Sequence, residues 1–287
     1  MEKLIDLHTH SSCSDGSMTP SELITHAKNE GLSAVALTDH DCTTGLKEAA
    51  AKALSLGIEF VPGVEFSVNS DAESHIVGLF IDPDCLDIAS ALEKAREERL
   101  EKNFEVSQNL KKAGMDVSLD EARKFAGGAL LCRAHFAKAM VEKGYAASVK
   151  EAFDLYLAPG KCGYSPTVAM SAQKAISVIK KSGGAAFLAH VHHTKKEGAE
   201  LEAYLKELKS YGLDGIEGYY SEYTPSQGES YRTLAKKLGL ELSGGSDFHG
   251  RMKPHIKIGR GFGEMRIPYF LLEKIKILTN RKNRYTI

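Results

Sequence analysis

LIDLHTHSSCSDGSMTPSELITHAKNEG, residues 4–31, decides the fold. Leu4 to Leu7 is a short apolar run of the kind that forms a buried strand. The segment beyond it is punctuated as a helix: Thr19 as N-cap, Pro20 at the first helical position, Glu22 closing a T-x-x-E capping box and Gly31 after the end. Leu23, Ile24 and Ala27 share one face of that helix. The same punctuation recurs down the chain. Further strands are expected at Ala34 to Leu37, Phe60 to Val64, Ile76 to Ile81, Ala185 to Ala189, Gly215 to Tyr219 and Leu240 to Ser243. Helices over about 44–56, 171–182, 199–211 and 227–238 each end near a glycine. Seven strands alternating with helices predict an α/β fold on a parallel, closed sheet.

The rhythm breaks after Asp82. ALEKAREERLEKNFEVSQNLKKAG (91–114) is a long charged helical stretch, followed by shorter helical patterns around 119–126, 133–143 and 148–157. These read as a helical insertion, residues 83–165, between barrel segments 1–82 and 166–287, with Asp82-Pro83 and Ser165-Pro166 marking exit and return. A length of 287 residues suits one barrel with an appendage, and 43% hydrophobic residues suffice for a sizeable core.

A net charge of −1 gives no global attraction for duplex DNA or an anionic membrane, so any pull on anions must be local. The five cysteines are scattered and lack C-x-x-C spacing, which argues against a disulfide scaffold or a thiolate zinc site. MEKLIDLHTH lacks the basic and apolar segments of a secretory leader, and no run approaches a membrane span, so a cytoplasmic location is expected.

Histidines carry the chemistry, because they fall at strand ends, where barrel active sites form. His8 and His10 lie two residues apart in an extended segment, so both imidazoles reach one side. Alone, such a pair is also what a solvent-facing strand end provides. Asp15 follows in S-D-G, His40 closes the second strand within T-D-H, and Glu65 stands on an otherwise apolar strand, where an unpaired carboxylate is costly to bury. His75 opens the fourth strand, His190 ends the fifth, and Asp247 and His249 follow the last. Each has a bland structural reading, but jointly they form a mixed nitrogen and oxygen donor set suited to manganese, zinc or iron. Three such ions with three carboxylates and one hydroxide leave a local charge of about +2 by formal counting, which favours phosphate. Asp39, beside His40, reads as a carboxylate orienting that imidazole. His192 and His193 are either accessory contacts or solvated histidines. The cluster GRGFG (259–263) lacks the strand-turn-helix context of a nucleotide loop.

In order, H-T-H, S-D-G, T-D-H, P-G-x-E, the isolated His75, A-H and G-S-D-x-H resemble the motifs of the polymerase and histidinol phosphatase (PHP) superfamily. That resemblance implies a distorted seven-stranded (β/α)7 barrel with a helical insertion domain and a trinuclear site. His8, His10, Glu65 and Asp247 would hold one ion, Glu65 with His75 and His190 a second, and Asp15, His40 and His249 the third. The insertion around Arg133 and His135 resembles the subgroup that removes the 3'-phosphate of 3',5'-nucleoside bisphosphates and trims short RNA from its 5' end. There Arg133 and His135 would bind the substrate phosphate and serve catalysis, the bland alternative being a helix-end arginine and a partly buried histidine. His190 is followed by Val191 instead of the proline often found in the family, which puts the shape of the next loop in question.

The resemblance implies a metal-dependent phosphoric monoester hydrolase using two or three divalent ions and a metal-activated hydroxide. Its partners would be a small nucleotide or short RNA, with AMP or phosphate as product ligands. Two alternatives stand beside it: a histidinol-phosphate phosphatase, and a non-catalytic metal-stabilised binding module.

Overall fold

The structure, a computed structural model, describes residues 3–70, 74–126, 131–165 and 170–280. Seven strands form one sheet in chain order: β1 (Ile5–Asp6), β2 (Ala34–Leu37), β3 (Glu59–Ser67), β4 (His75–Leu79), β5 (Ala185–Leu188), β6 (Gly215–Tyr220) and β7 (Glu241–Gly245). The Leu7 N–H donates to the Gly244 carbonyl at 3.1 Å and the Asp247 N–H to the His8 carbonyl at 2.9 Å. The last strand thereby returns to the first, and the sheet curls into a nearly closed barrel.

Strand parity sorts the core. Ile5, Leu7, Ala34, Ala36, Val61, Val77, Leu79, Ala185 and Phe187 form an inner cluster. Val35, Leu37, Val64, Phe66, Ile76, Ala186 and Leu188 face the other way, towards the helices. Each large side chain fully buried in this manner stabilises by about 1.5–3 kcal/mol. The helices are α1 (Pro20–Asn29), α2 (Leu46–Leu56), α3 (Leu86–Lys112), α4 (Leu119–Arg123), α5 (Arg133–Glu142), α6 (Val149–Ala152), α7 (Ala172–Lys181), α8 (Gly198–Ser210), α9 (Pro225–Leu238) and α10 (Phe270–Leu278). The α1 capping box is formed as read from the sequence, with the Thr19 side chain accepting from the Glu22 N–H. Leu271, Leu272 and Ile275 of α10 join the inner cluster.

The sheet is not wholly parallel. β4 runs antiparallel to both β3 and β5, in the register Ser67 with His75 and Ile76 with Leu188. A parallel partner needs a crossover of a dozen or more residues, usually through a helix, and none fits between Ser67 and His75. The reversal has a functional consequence: the first residue of β4 lies at the barrel end where its neighbours finish, which is why His75 opens its strand while the other histidines close theirs.

The chain divides into two compact bodies, Met1–Leu92 with Met170–Ile287, and Glu93–Ala169. The division falls within α3, about ten residues beyond Asp82-Pro83, because Ile88 and Ala91 belong to the barrel's core and Lys181 pairs with Asp87 at 2.8 Å. Pro166, the other expected boundary, lies outside the described residues. The second body has its own small core, built on Val106, Leu110, Phe136, Met140 and Leu157. Among the described residues no helix is long and apolar enough to cross a membrane.

Barrel closure leaves no room where β7 meets β1. A Cβ on Gly245 would lie 2.1 Å from the His8 Cβ and 2.5 Å from its backbone nitrogen. Gly245→Ala is therefore expected to destabilise the barrel by about 1–3 kcal/mol through overpacking and to displace His8. Equilibrium denaturation checks this; an unchanged midpoint contradicts the close approach.

Candidate metal centre

All nine residues singled out by the motifs meet at one end of the barrel, where Glu65 is the hub. β3 alternation turns its carboxylate inward with Val61 and Gly63, and the residue is wholly buried. Oε2 lies 3.1 Å from His8 Nε2, 3.2 Å from His10 Nε2 and 3.1 Å from His40 Nδ1. Oε1 lies 2.8 Å from His75 Nδ1 and 3.1 Å from His190 Nε2.

Three donor sets result. In the first, His8 Nε2 and His10 Nε2 are 3.1 Å apart, and Asp247 Oδ1 is 3.6 Å and 3.2 Å from them. Donors bonded at about 2.0–2.1 Å to one tetrahedral ion sit about 3.3–3.4 Å apart, so these atoms, with Glu65 Oε2, are spaced as the corners of such a shell. The second set is Glu65 Oε1, His75 and His190, whose two ring nitrogens are 3.1 Å apart. The third gathers around Asp15, with His249 Nε2 at 3.2 Å, His10 Nδ1 at 3.8 Å and His40 Nε2 at 3.9 Å.

Orientation of the ring nitrogens fits metal binding. His40 Nδ1 and Glu65 Oε2 are buried and, among the described residues, make no hydrogen bond despite their proximity. Polar atoms buried side by side without satisfying each other are costly unless a nearby cation compensates them. His249 Nδ1–H donates to the Asp247 carbonyl at 2.8 Å, which leaves the Nε2 lone pair facing Asp15. Two ligand candidates, His190 (φ 27°) and Asp247 (φ 56°), adopt left-handed backbone, which is unfavourable for non-glycine residues and concentrates at functional sites.

The polar layer behind the cluster contains residues that motif reading missed. Glu217, on β6, accepts from His8 Nδ1–H at 2.7 Å and from the backbone N–H of His190 at 2.5 Å, fixing the His8 imidazole and the main chain that carries His190. Its signal was present: a carboxylate on the apolar strand GIEGYY, the argument already applied to Glu65. Tyr220 OH and Lys253 Nζ donate to Asp247 Oδ2 at 2.9 and 2.6 Å, leaving Oδ1 towards His8 and His10. Asp6 accepts from the Ser246 and Gly259 N–H groups and from the Ser246 hydroxyl. The glycine cluster at 259–263 therefore latches a loop to β1.

Asp39 corrects the expectation made for it. It accepts from the Ser11 N–H and hydroxyl and from the Ser14 hydroxyl at 2.6–2.8 Å, and Ser14 Oγ lies 3.5 Å from His10 Nδ1. In an extended chain neighbouring side chains diverge, so Asp39 supports the His10 loop and not the adjacent His40.

Arg133 and His135 lie in the other body, in the first turn of α5. Arg133 Nη1 donates to the Leu157 carbonyl at 3.3 Å, and its guanidinium lies 5.4 Å from the Tyr164 ring centre and 6.0 Å from that of Phe153. His135 Nδ1 accepts from the Cys132 N–H at 3.0 Å, capping the helix, so any contact with substrate falls to Nε2. Burial, with Arg133 and Arg99 nearby, lowers the Lys102 pKa to about 8. Three cations thus gather on α3 and α5, a pattern the isolated sequence positions did not reveal.

Burial opposes charge throughout the centre, yet mutual pairing overrides it. The surrounding imidazoles hold Asp15, Glu65 and Asp247 well below the usual carboxylate range. Against burial, Glu65 and Glu217 hold His8 well above the ordinary histidine pKa, and Asp247 and Glu65 push His10 up to about 9. Burial drives His40 the other way, to about 3, with Glu65 and Asp15 opposing. A raised histidine pKa means that protons are held below the folded value, so the metal-free centre favours the protonated form of His8 and His10. Metal requires the neutral rings, so loading at pH 7 is expected to expel protons, and acidification to weaken metal retention. Calorimetry in buffers of different ionisation enthalpy reads the proton count; a buffer-independent heat contradicts it.

The PHP domain model matches residues 6–216. A 3',5'-nucleoside bisphosphate phosphatase of Chromobacterium violaceum is 38% identical over 247 residues, covering 85% of this chain and 87% of its own. The 5'-3' exoribonuclease Rnm of Escherichia coli K12 is 34% identical over 260 residues, covering 90% and 88%. A solved Bifidobacterium adolescentis protein described as a metal-dependent phosphoesterase superposes with a TM-score of 0.82 at 28% identity, covering 96% of both chains. With a domain match across most of its length and relatives above 30% identity, this chain belongs to the PHP domain family.

Proposed function

We propose that this protein is a metal-dependent phosphoesterase acting on nucleotides, hydrolysing the 3'-phosphate monoester of 3',5'-nucleoside bisphosphates and the phosphodiester bonds at the 5' end of short RNA. The observation that carries the reading is the pair of donor sets on opposite oxygens of buried Glu65, spaced for ions that share one carboxylate. His8, His10, Asp15, His40, Glu65, His75, His190, Asp247 and His249 would hold two or three ions of manganese, zinc or iron. When bound, such ions supply Lewis acidity, giving a water-derived nucleophile at neutral pH and neutralising charge on phosphate oxygens.

The chain's own residues do the positioning. Glu217 keeps the His8 proton on Nδ1, and Tyr220 with Lys253 occupies Asp247 Oδ2, so the donor atoms are set before substrate arrives. Lys253 remains an ammonium, since the Asp247 carboxylate outweighs its burial, and it supplies positive charge beside the centre. Arg133, pinned by Leu157 and its aromatic neighbours, is a pre-set fork for a phosphate group. Arg99 and Lys102 extend that positive surface. His135 would donate through Nε2. The nucleotide class rests on the names of the bacterial relatives and on this cation group in the insertion.

Glu65→Ala is expected to abolish turnover and reduce bound metal. Arg133→Ala should keep the metal and lower kcat/KM roughly ten- to a hundredfold, the loss of one charge-assisted contact. Phosphate release from adenosine 3',5'-bisphosphate, short 5'-phosphorylated RNA and histidinol phosphate, with metal analysis, tests both claims. Normal turnover by a fully metallated Glu65→Ala protein sinks the bridging role, release from histidinol phosphate alone sinks the nucleotide reading, and no release at full metal occupancy favours a binding module.

A further inference from the structure

A second donor cluster lies outside the nine. The loop after β5 carries His192 and His193 in a 3-10 turn, Val191–Thr194, and Glu222 follows β6. His192 Nε2 is 3.3 Å and His193 Nε2 3.5 Å from the same oxygen, Glu222 Oε2. Those are the donor separations about one tetrahedral ion, about 3.3–3.4 Å for bonds of about 2.0–2.1 Å. The side chains are 20%, 27% and 36% exposed, so a fourth corner is open to solvent.

The turn is held in place before any ligand arrives. The Val191 N–H donates to Tyr223 OH at 2.7 Å, that hydroxyl donates to the Glu217 carbonyl at 3.3 Å, and Thr194 Oγ1 donates to the Val191 carbonyl at 2.7 Å. The Tyr223 ring stands edge-on to His192 with centres 5.4 Å apart, and Tyr220 packs at 5.5 Å. A set of two histidines and one carboxylate suits ions that accept imidazole, and not magnesium or calcium.

We propose that His192, His193 and Glu222 form a further site for a divalent transition-metal ion of the zinc, cobalt or nickel kind, separate from the sets centred on Glu65 and open at its fourth position. It rests on barrel geometry alone and not on the phosphoesterase reading. Equilibrium dialysis of the full chain against buffered zinc compares the wild type with Glu222→Gln, His192→Ala and Glu65→Ala. The wild type should bind one zinc more per chain than either Glu222→Gln or His192→Ala, with cobalt substitution showing a matching loss of four-coordinate absorption. Glu65→Ala should lose central ions yet keep this one, which separates failure of this site from failure of the main centre. If His192→Ala proves unstable on thermal unfolding, Glu222→Gln, a change on the exposed rim, decides. Unchanged zinc stoichiometry and affinity in Glu222→Gln overturns the proposal. So does loss of inorganic phosphate binding at constant zinc content, which would make the cluster an anion site.

Discussion

Everything at the functional end of this barrel depends on one buried carboxylate. Glu65 is excluded from water, and five imidazoles face its two oxygens. Burying an ion in a protein interior costs several kcal/mol unless charge and hydrogen bonds compensate. Imidazoles provide part of that compensation, but among the described residues Glu65 Oε2 and His40 Nδ1 stay without hydrogen bonds, a deficit that bound cations would meet. The outer carboxylates Glu217, Asp39 and Asp6 then fix the rings and loops around it, two by direct or relayed contact with imidazoles and Asp6 by fastening β1 to the chain after β7.

The sheet explains how residues so far apart in sequence reach that carboxylate. Parallel strands deliver their C-terminal ends to one rim, and reversal of β4 delivers a strand beginning to the same rim, so His75 joins from the opposite chain direction. Gly245 permits β7 to press against His8, and left-handed backbone at His190 and Asp247 turns these residues back over the rim. Such conformations are disfavoured locally and persist because the surrounding contacts over-determine them.

Much of this was legible in the sequence because the signals were local. Strand and helix punctuation announced the barrel, and polar residues at the ends of apolar runs pointed to the nine residues that meet at its rim. Strand direction was less visible, since apolar periodicity is blind to polarity, although the short link between Ser67 and His75 held the answer. Glu217 escaped because it sits in mid-strand without a histidine beside it, while Asp39 was paired with its neighbour in sequence instead of its partner in space. The cation group of Arg99, Lys102 and Arg133 depends on two helices coming together, which no linear spacing reveals.

Anomalous diffraction at the absorption edges of the bound metals, from crystals of the metal-loaded protein, tests the central claim most directly. The account predicts separate ions on the two sides of Glu65, one touching Oε2 with His8, His10 and Asp247, the other touching Oε1 with His75 and His190. A single ion, or ions that leave both Glu65 oxygens uncoordinated, would contradict it.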